Sequence, residues 1–259
     1  MNCRTNCQPH NKKGSKLKRE NLMENNRTIN LSHSGSTGDI LYALTVAKSF
    51  GMANLYLTTG PLLPEKMANA FIPLVSVQPY INVCKIHENE RIDLDLDNFR
   101  GLSSLKYDFL SITSLSAIER YYNIATPWIH NIEPLYLNDI ILNRTKRYHG
   151  NLDYYTLCTK YKDKITFLGY EDEHEHFCDL FRVNIKYKET KDFLEVAQFI
   201  KGSKLFVGNQ SMCWGIAEGM KLPRYLEVCS VCPNCQAVGN DGHCDWEDYT
   251  VEEIVEMYL

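Results

Sequence analysis

At 259 residues the chain has room for one large α/β domain or two small ones, each burying a core of its own. Its 44% hydrophobic and 23% charged content is that of an ordinary globular protein, so a disordered or fibrous chain is excluded. A net charge of −4 argues against non-specific nucleic-acid binding as the main activity, and no apolar run is long enough to span a bilayer.

Residues 1–27, rich in Lys, Asn and Arg, have little to bury and read as a disordered basic arm. The arm is a solvated tail or a contact to an acidic partner, so nucleic acid stays a secondary partner. It lacks the apolar centre of a secretory signal, and the ten cysteines are then expected to stay reduced in a cytoplasmic protein.

From Thr28 the pattern changes. "TINLSH" reads as a buried strand, "DILYALTVAKSF" as a helix stopped by Gly51, and "ANLYLTT" as a second strand. Ile40, Leu41, Leu44 and Ala47 put an apolar stripe on that helix, and strand–turn–helix–strand is a βαβ unit of a parallel sheet. Up to about Glu133 the chain is less legible, with "PLVSV", "INVCKI", "RIDLDLDNFR" and a Tyr-rich helical stretch. A second α/β series follows. "DIILN", "KITFLG", "KLFVGNQ" and "PRYLEV" read as strands, and "EDEHEHFCDLF" and "SMCWGIAEGM" as helices. Asp192 with Glu195, and Thr250 with Glu253, are capping boxes that open two more helices. The two series part near residue 136. They predict an α/β fold of two Rossmann-like domains facing a cleft: an N-terminal one over 28–136 and a C-terminal one over 137–259.

The turn "SGSTGD" lies where the carboxyl edge of a sheet meets a helix N-terminus, a place for an anion. It has no Lys-Ser/Thr after its last glycine, so it is not a Walker loop. It also lacks the third glycine of a dinucleotide fingerprint and the acid after the second strand. Asp39 would repel a phosphate there; it is either a first-turn acid favoured by the helix dipole or a group with a chemical task.

"GSTGDILYAL" and "LFVGNQSMCWGIAEGMKLP" together resemble the lipopolysaccharide heptosyltransferase family, glycosyltransferase family 9. The first matches its Gly-Asp-[Ile/Val]-[Leu/Ile] element and the second its turn before a small-residue helix. The resemblance spans roughly 28–228 and implies a GT-B fold, in a compact version. The acceptor would sit on the first domain and the nucleotide sugar on the second. It implies an inverting, metal-independent glycosyltransferase that requires no cofactor and uses a nucleotide-diphosphate sugar as donor. The acceptor would be a saccharide or other hydroxyl compound. Asp39 maps onto the family's catalytic base, with Ser36, Thr37 and Gly38 shaping the sugar site. Arg144, Lys146 and Arg147, in a basic loop after a strand, would meet donor phosphate, together with Asn209, Gln210 and Ser211 of the second turn. Glu218 would hold a ribose or base hydroxyl, or be a surface helix residue. The chain departs from the family at Gln210 (Asp in the family), Met212 (Gly), Gly215 (often His) and Thr45 (Pro). The resemblance therefore does not carry heptose or an ADP-linked donor over. The replaced acid at 210 keeps a non-catalytic nucleotide-sugar-binding protein as an alternative, and the basic arm keeps a glycosyltransferase acting on nucleic acid as another.

Two weaker signals remain. "DLDLD" places Asp93, Asp95 and Asp97 on one strand face, read as an exposed face or an acceptor contact rather than a metal pair. Cys229, Cys232, Cys235 and Cys244 supply enough thiolates for a zinc. A run of three with a lone partner is less regular than two Cys-x-x-Cys pairs, and reduced thiols in a loop are the other reading.

Overall fold

The computed structural model describes residues 28–97, 125–233, 235–246 and 249–259. The basic arm and most of the Tyr-rich stretch lie outside the described residues.

The first unit is a four-stranded parallel sheet of order β3-β2-β1-β4. It consists of β1 (Ile29–His33), α1 (Thr37–Ser49), β2 (Ala53–Leu57), α2 (Glu65–Ser76), β3 (Ile81–Ile86) and β4 (Leu94–Asp95). The apolar stripe of α1 is buried, and the chain leaves the helix through Gly51 at φ +82°, the left-handed turn that glycine permits. "PLVSV" supplies the end of α2, with Pro73 inside the helix.

The second unit has six parallel strands: β5 (Ile140–Asn143), β6 (Ile165–Leu168), β7 (Lys186–Lys188), β8 (Leu205–Asn209), β9 (Arg224–Glu227) and β10 (Gly242–Cys244). Their order is β10-β9-β8-β5-β6-β7. Counted within the unit this is the doubly wound order, with its switch point between β5 and β8. Helices α3 (Tyr154–Lys160), α4 (Glu171–Phe181), α5 (Phe193–Gly202), α6 (Met212–Met220) and α7 (Val251–Tyr258) cover the sheet. Asp192 and Thr250 accept the backbone N–H of Glu195 and Glu253, as their capping sequences require. Alternate strand residues face opposite sides. Ile141, Leu168 and Phe206 join α5 and α6 on one face; Ile140, Leu142, Ile165, Phe167 and Val207 join α3, α4 and α7 on the other.

One apolar layer runs from the helices of the first sheet into α5 and α6 of the second. Its centre is the contact of α1 with α6, where a Cβ on Gly215 would stand 2.7 Å from Leu41 Cδ2. Trp128 locks the joint: its indole N–H donates to the Leu41 carbonyl (3.1 Å) and its backbone N–H to that of Gly219 (2.8 Å). Gly202 is needed because a Cβ there would strike the Leu135 carbonyl of the connecting segment. No described helix is long and apolar enough to cross a membrane.

Candidate active site between two switch points

The α1–α6 contact brings two sheet edges together. Leu41 lies four residues after Thr37 and Gly215 three after Met212. At a rise of about 1.5 Å per residue, both helix N-termini stand within about 6 Å of the crossing. The carboxyl ends of β1 and β8, which feed those helices, therefore open toward the same region. Such edges, at switch points, are where α/β sheets bind ligands.

On the first unit the loop after β1 is shaped by acids. Ser36 donates its backbone N–H and its hydroxyl to Asp39 Oδ2, both at 3.0 Å. Among the described residues nothing donates to Asp39 Oδ1, and the side chain is only half-buried. Asp97, just past the end of β4, accepts the Ser34 backbone N–H at 3.0 and 3.2 Å and the Ser34 hydroxyl. The imidazole of His33 stands between loop and acid, with Nδ1 2.9 Å from the Gly35 nitrogen and 3.0 Å from Asp97 Oδ1. It can accept from the first or, when protonated, donate to the second. Burial works to raise the pKa of Asp97, but His33 and the Ser34 donors outweigh it and hold the carboxyl well below the usual carboxylate range.

"DLDLD" is thus tied to β1 rather than an independent exposed face. Asp93 accepts from the Asn30 N–H (3.1 Å), Asp95 from the Ser32 hydroxyl (3.4 Å), and Asp97 from Ser34. This alternation, two residues at a time down parallel partners, brings Asp97, one of the three acids the sequence placed on one face, against the loop after β1.

On the second unit the expected donor residues separate. Arg144 is buried, and its Nε and Nη2 make a bidentate pair with Glu227 at 2.9 and 3.0 Å. Its guanidinium lies over Tyr154 and Phe181. Lys146 is exposed and pairs with Asp172 at 2.7 Å. Arg147 is exposed beside the Tyr148 ring, with no ion pair among the described residues. Asn209 is fully buried and clamps this loop, accepting from Thr145 N–H (3.0 Å) and donating to the carbonyls of Thr145 (3.2 Å) and Arg147 (2.6 Å).

Gln210 is spent on the cysteine loop: its amide donates to the Cys232 carbonyl (2.9 Å) and accepts the Cys229 N–H (3.1 Å). Ser211 caps α6 by accepting the Trp214 N–H at 3.1 Å. Glu218 is neither at the surface nor open to a ribose; it is fully buried and bound by Lys221, Arg224 and the Val238 N–H. Burial brings Lys221 down to about 8 against the pull of Glu218. Trp214 is fully buried in the core.

The four cysteines weighed as a zinc set do not come together as one. No group of three or more His, Cys, Asp or Glu able to hold a metal occurs among the described residues. Cys229 and Cys232 close a turn through a backbone hydrogen bond, Cys235 lies 3.7 Å from the Tyr42 hydroxyl, and Cys244 belongs to β10.

A further contact joins the units near the site. Tyr170, opening α4, reaches Met67 of α2 through its hydroxyl (3.6 Å to Sδ). Glu173 accepts the Tyr170 N–H (3.2 Å), and burial raises its pKa. The Cys213 thiol, buried beside it, is pushed up to about 12 and is no nucleophile.

No sequence family and no curated protein matches the chain. Solved structures do. A glycosyltransferase family 9 protein of Veillonella parvula matches at TM-score 0.54 and 8% identity, over 78% of this chain and 80% of its own. The E. coli heptosyltransferase WaaC, solved with ADP, matches at 0.57 and 10% identity, over 90% and 100% respectively. TibC of enterotoxigenic E. coli, described as an iron-containing dodecameric glycosyltransferase, matches at 0.52 and 12%, over 83% of this chain and 62% of its own. At such identities the likeness is one of backbone. The fold of this chain is that of the glycosyltransferase family 9 structures, two parallel Rossmann-like units of GT-B type.

Proposed function

We propose that the chain is a glycosyltransferase that moves a sugar from a nucleotide-diphosphate donor to an acceptor hydroxyl, with inversion, and with Asp39 as general base. The observation that carries this reading is the half-bound carboxylate of Asp39 at one switch point, set beside a second switch point by the α1–α6 contact.

The acceptor hydroxyl attacks the anomeric carbon while the bond from that carbon to the diphosphate oxygen breaks, and the electron pair leaves with the diphosphate. An aspartate is a weak base toward a free alcohol. The transition state is oxocarbenium-like, however, and the proton departs from an oxygen already acidified by bond formation. Oδ1 of Asp39 takes that proton, while Oδ2 keeps the side chain oriented through Ser36. The same charge stabilises positive charge on the reacting sugar. No step is assigned to a metal.

For the leaving diphosphate, the reading uses Arg147, Lys146 and the N-terminus of α6 behind Ser211, with Asn209 fixing the loop that carries both cations. Arg144, Gln210 and Glu218 are left out of direct donor contact, because each is buried and already engaged by protein partners. Two of the structures that share the fold were solved with ADP or ADP-heptose, which supports a nucleotide sugar in this region without naming its base or sugar.

Asp39→Asn tests the reading. The variant should bind a nucleotide sugar as the wild type does and lose transfer by about two orders of magnitude or more; full turnover removes Asp39 from the chemistry. The structural engagement of Gln210, where an acid was expected, favours one second reading: a nucleotide-sugar-binding protein without transfer. Tight donor binding with no product from any acceptor pool would support it.

A further inference from the structure

We infer that the loop after β1 receives an uncharged hydroxyl and is closed to anions, so that the acceptor is a sugar or alcohol with no phosphate or carboxylate beside its reacting hydroxyl. This rests on the reading of Asp39 as the acceptor-side base.

A strand running into a helix N-terminus at a switch point ordinarily offers its loop N–H groups to a phosphate. Here the donors of Ser34, Gly35 and Ser36 point at the protein's own groups. The N–H of Ser34 donates to Asp97, that of Gly35 is directed at the His33 imidazole, and that of Ser36 donates to Asp39. The hydroxyls of Ser34 and Ser36 donate to the same two carboxylates. The N–H groups of Ser34 and Ser36 and the hydroxyls beside them are thus taken by two acids, Asp97 just past β4 and Asp39 in the first turn of α1. An incoming anion would have to displace a carboxylate and then remain beside it. These bonds leave Asp39 Oδ1 as an acceptor for ligand, and the N–H groups of Thr37 and Gly38 that follow stand in the same first turn as the Asp39 carboxylate, whose charge opposes an anion there. An acceptor-only oxygen calls for a donor, which a hydroxyl has and a fully ionised phosphate lacks. The charge on Asp97 persists at neutral pH, because its surroundings favour the ionised form.

Asp97 therefore has a positioning role with a specificity consequence. It holds Ser34 and keeps the first loop donor out of reach of ligand. Gly38 fits the same design. An added Cβ would meet only Ser36 Oγ, at 4.0 Å, so packing alone does not explain the glycine and it leaves room over the loop.

The experiment is a titration of the isotope-labelled full chain with inorganic phosphate, following the backbone amide signals of Ser34, Gly35 and Ser36. In the wild type they should not move through tens of millimolar phosphate; a saturable shift at these amides overturns the proposal. In Asp97→Ala the Ser34 signal should become phosphate-sensitive, and silence there removes Asp97 as the excluding group. Should that variant not fold, the wild-type titration still decides. A second arm compares a methyl glycoside acceptor with its phosphate ester at the neighbouring carbon. The ester should be used with kcat/KM lower by roughly tenfold or more, a loss of about 1.4 kcal/mol in transition-state binding. Equal or better use overturns the proposal. If no nucleotide sugar is turned over while the amides stay silent, glycosyl transfer fails and the exclusion of anions stands.

Discussion

Arg144 offers a sharp test, because its sequence position and its structural surroundings assign it different work. Glu227 is fully buried and each of its oxygens has two donors. Oε2 takes Arg144 Nε and the Tyr154 hydroxyl, both at 2.9 Å; Oε1 takes Arg144 Nη2 at 3.0 Å and the Gly150 N–H at 2.8 Å. Arg144→Met keeps the stem over the Tyr154 and Phe181 rings but leaves a buried carboxylate with half its donors. Breaking a buried pair from one side costs about 3–5 kcal/mol. At roughly 2–4 °C per kcal/mol for a chain of this size, melting should fall by about 6–20 °C. Replacing both partners, Arg144→Met with Glu227→Gln, removes the stranded charge and should recover part of the loss, since coupled residues are not additive. The assay is urea and thermal unfolding of the two single variants and the double, with nucleotide-sugar binding measured on whatever remains folded. A fully stable Arg144→Met that has lost nucleotide binding would refute the structural role and restore the phosphate contact.

Other outcomes follow from the same geometry. Gly215→Ala should destabilise by about 1–2 kcal/mol: overpacking against the fully buried Leu41 costs about 1–3 kcal/mol, and the gain in helix propensity returns up to about 1. Pairing it with Leu41→Val should relieve the clash, and strictly additive losses in unfolding experiments would show that the two do not touch. Gly38→Ala should leave the melting temperature unchanged or slightly raised, because its Cβ finds open space, while sugar transfer drops; unchanged transfer would place the acceptor elsewhere. Lys221, brought down to about 8 from an ordinary 10.5, sheds its proton earlier in the folded chain than in the unfolded one. The unfolded chain thus binds more protons between those values, and stability contributed by this group rises with pH across that window. Relative to Lys221→Met, the wild type should gain on the order of 1–2 kcal/mol between about pH 7.5 and about pH 9.5; parallel pH profiles of the two proteins would contradict it.

Much of the architecture was legible because it rests on local rules. The run from β1 through α1 to β2 shows its strand, turn, helical stripe and glycine stop within a few residues of one another. The helices opening at Asp192 and Thr250 announce themselves by capping chemistry contained in one turn. Two short stretches, "GSTGDILYAL" and "LFVGNQSMCWGIAEGMKLP", carried the resemblance to glycosyltransferase family 9, and at the level of fold the solved structures agree with it. Helix α2 was harder, since Pro73 inside it removes an N–H that a helix normally uses. The short edge strands β7 and β10 carry too few residues for a period to show.

What each polar side chain does was decided by tertiary structure. A cation after a strand looks the same in sequence whether it faces phosphate or protein; only pairing with Glu227, 83 residues away, fixes Arg144 as buried. Gln210 reads as a ligand group until the cysteine loop 19 residues on claims its amide. Asp97 reads as one of three alternating acids until β4 is laid beside β1, 63 residues earlier, and its carboxylate reaches Ser34. Periodicity, caps and turns act over a few residues and are written along the chain. Partners for charge and hydrogen bonds come from whichever strand the sheet order places alongside, and that order is settled only when the two apolar layers close.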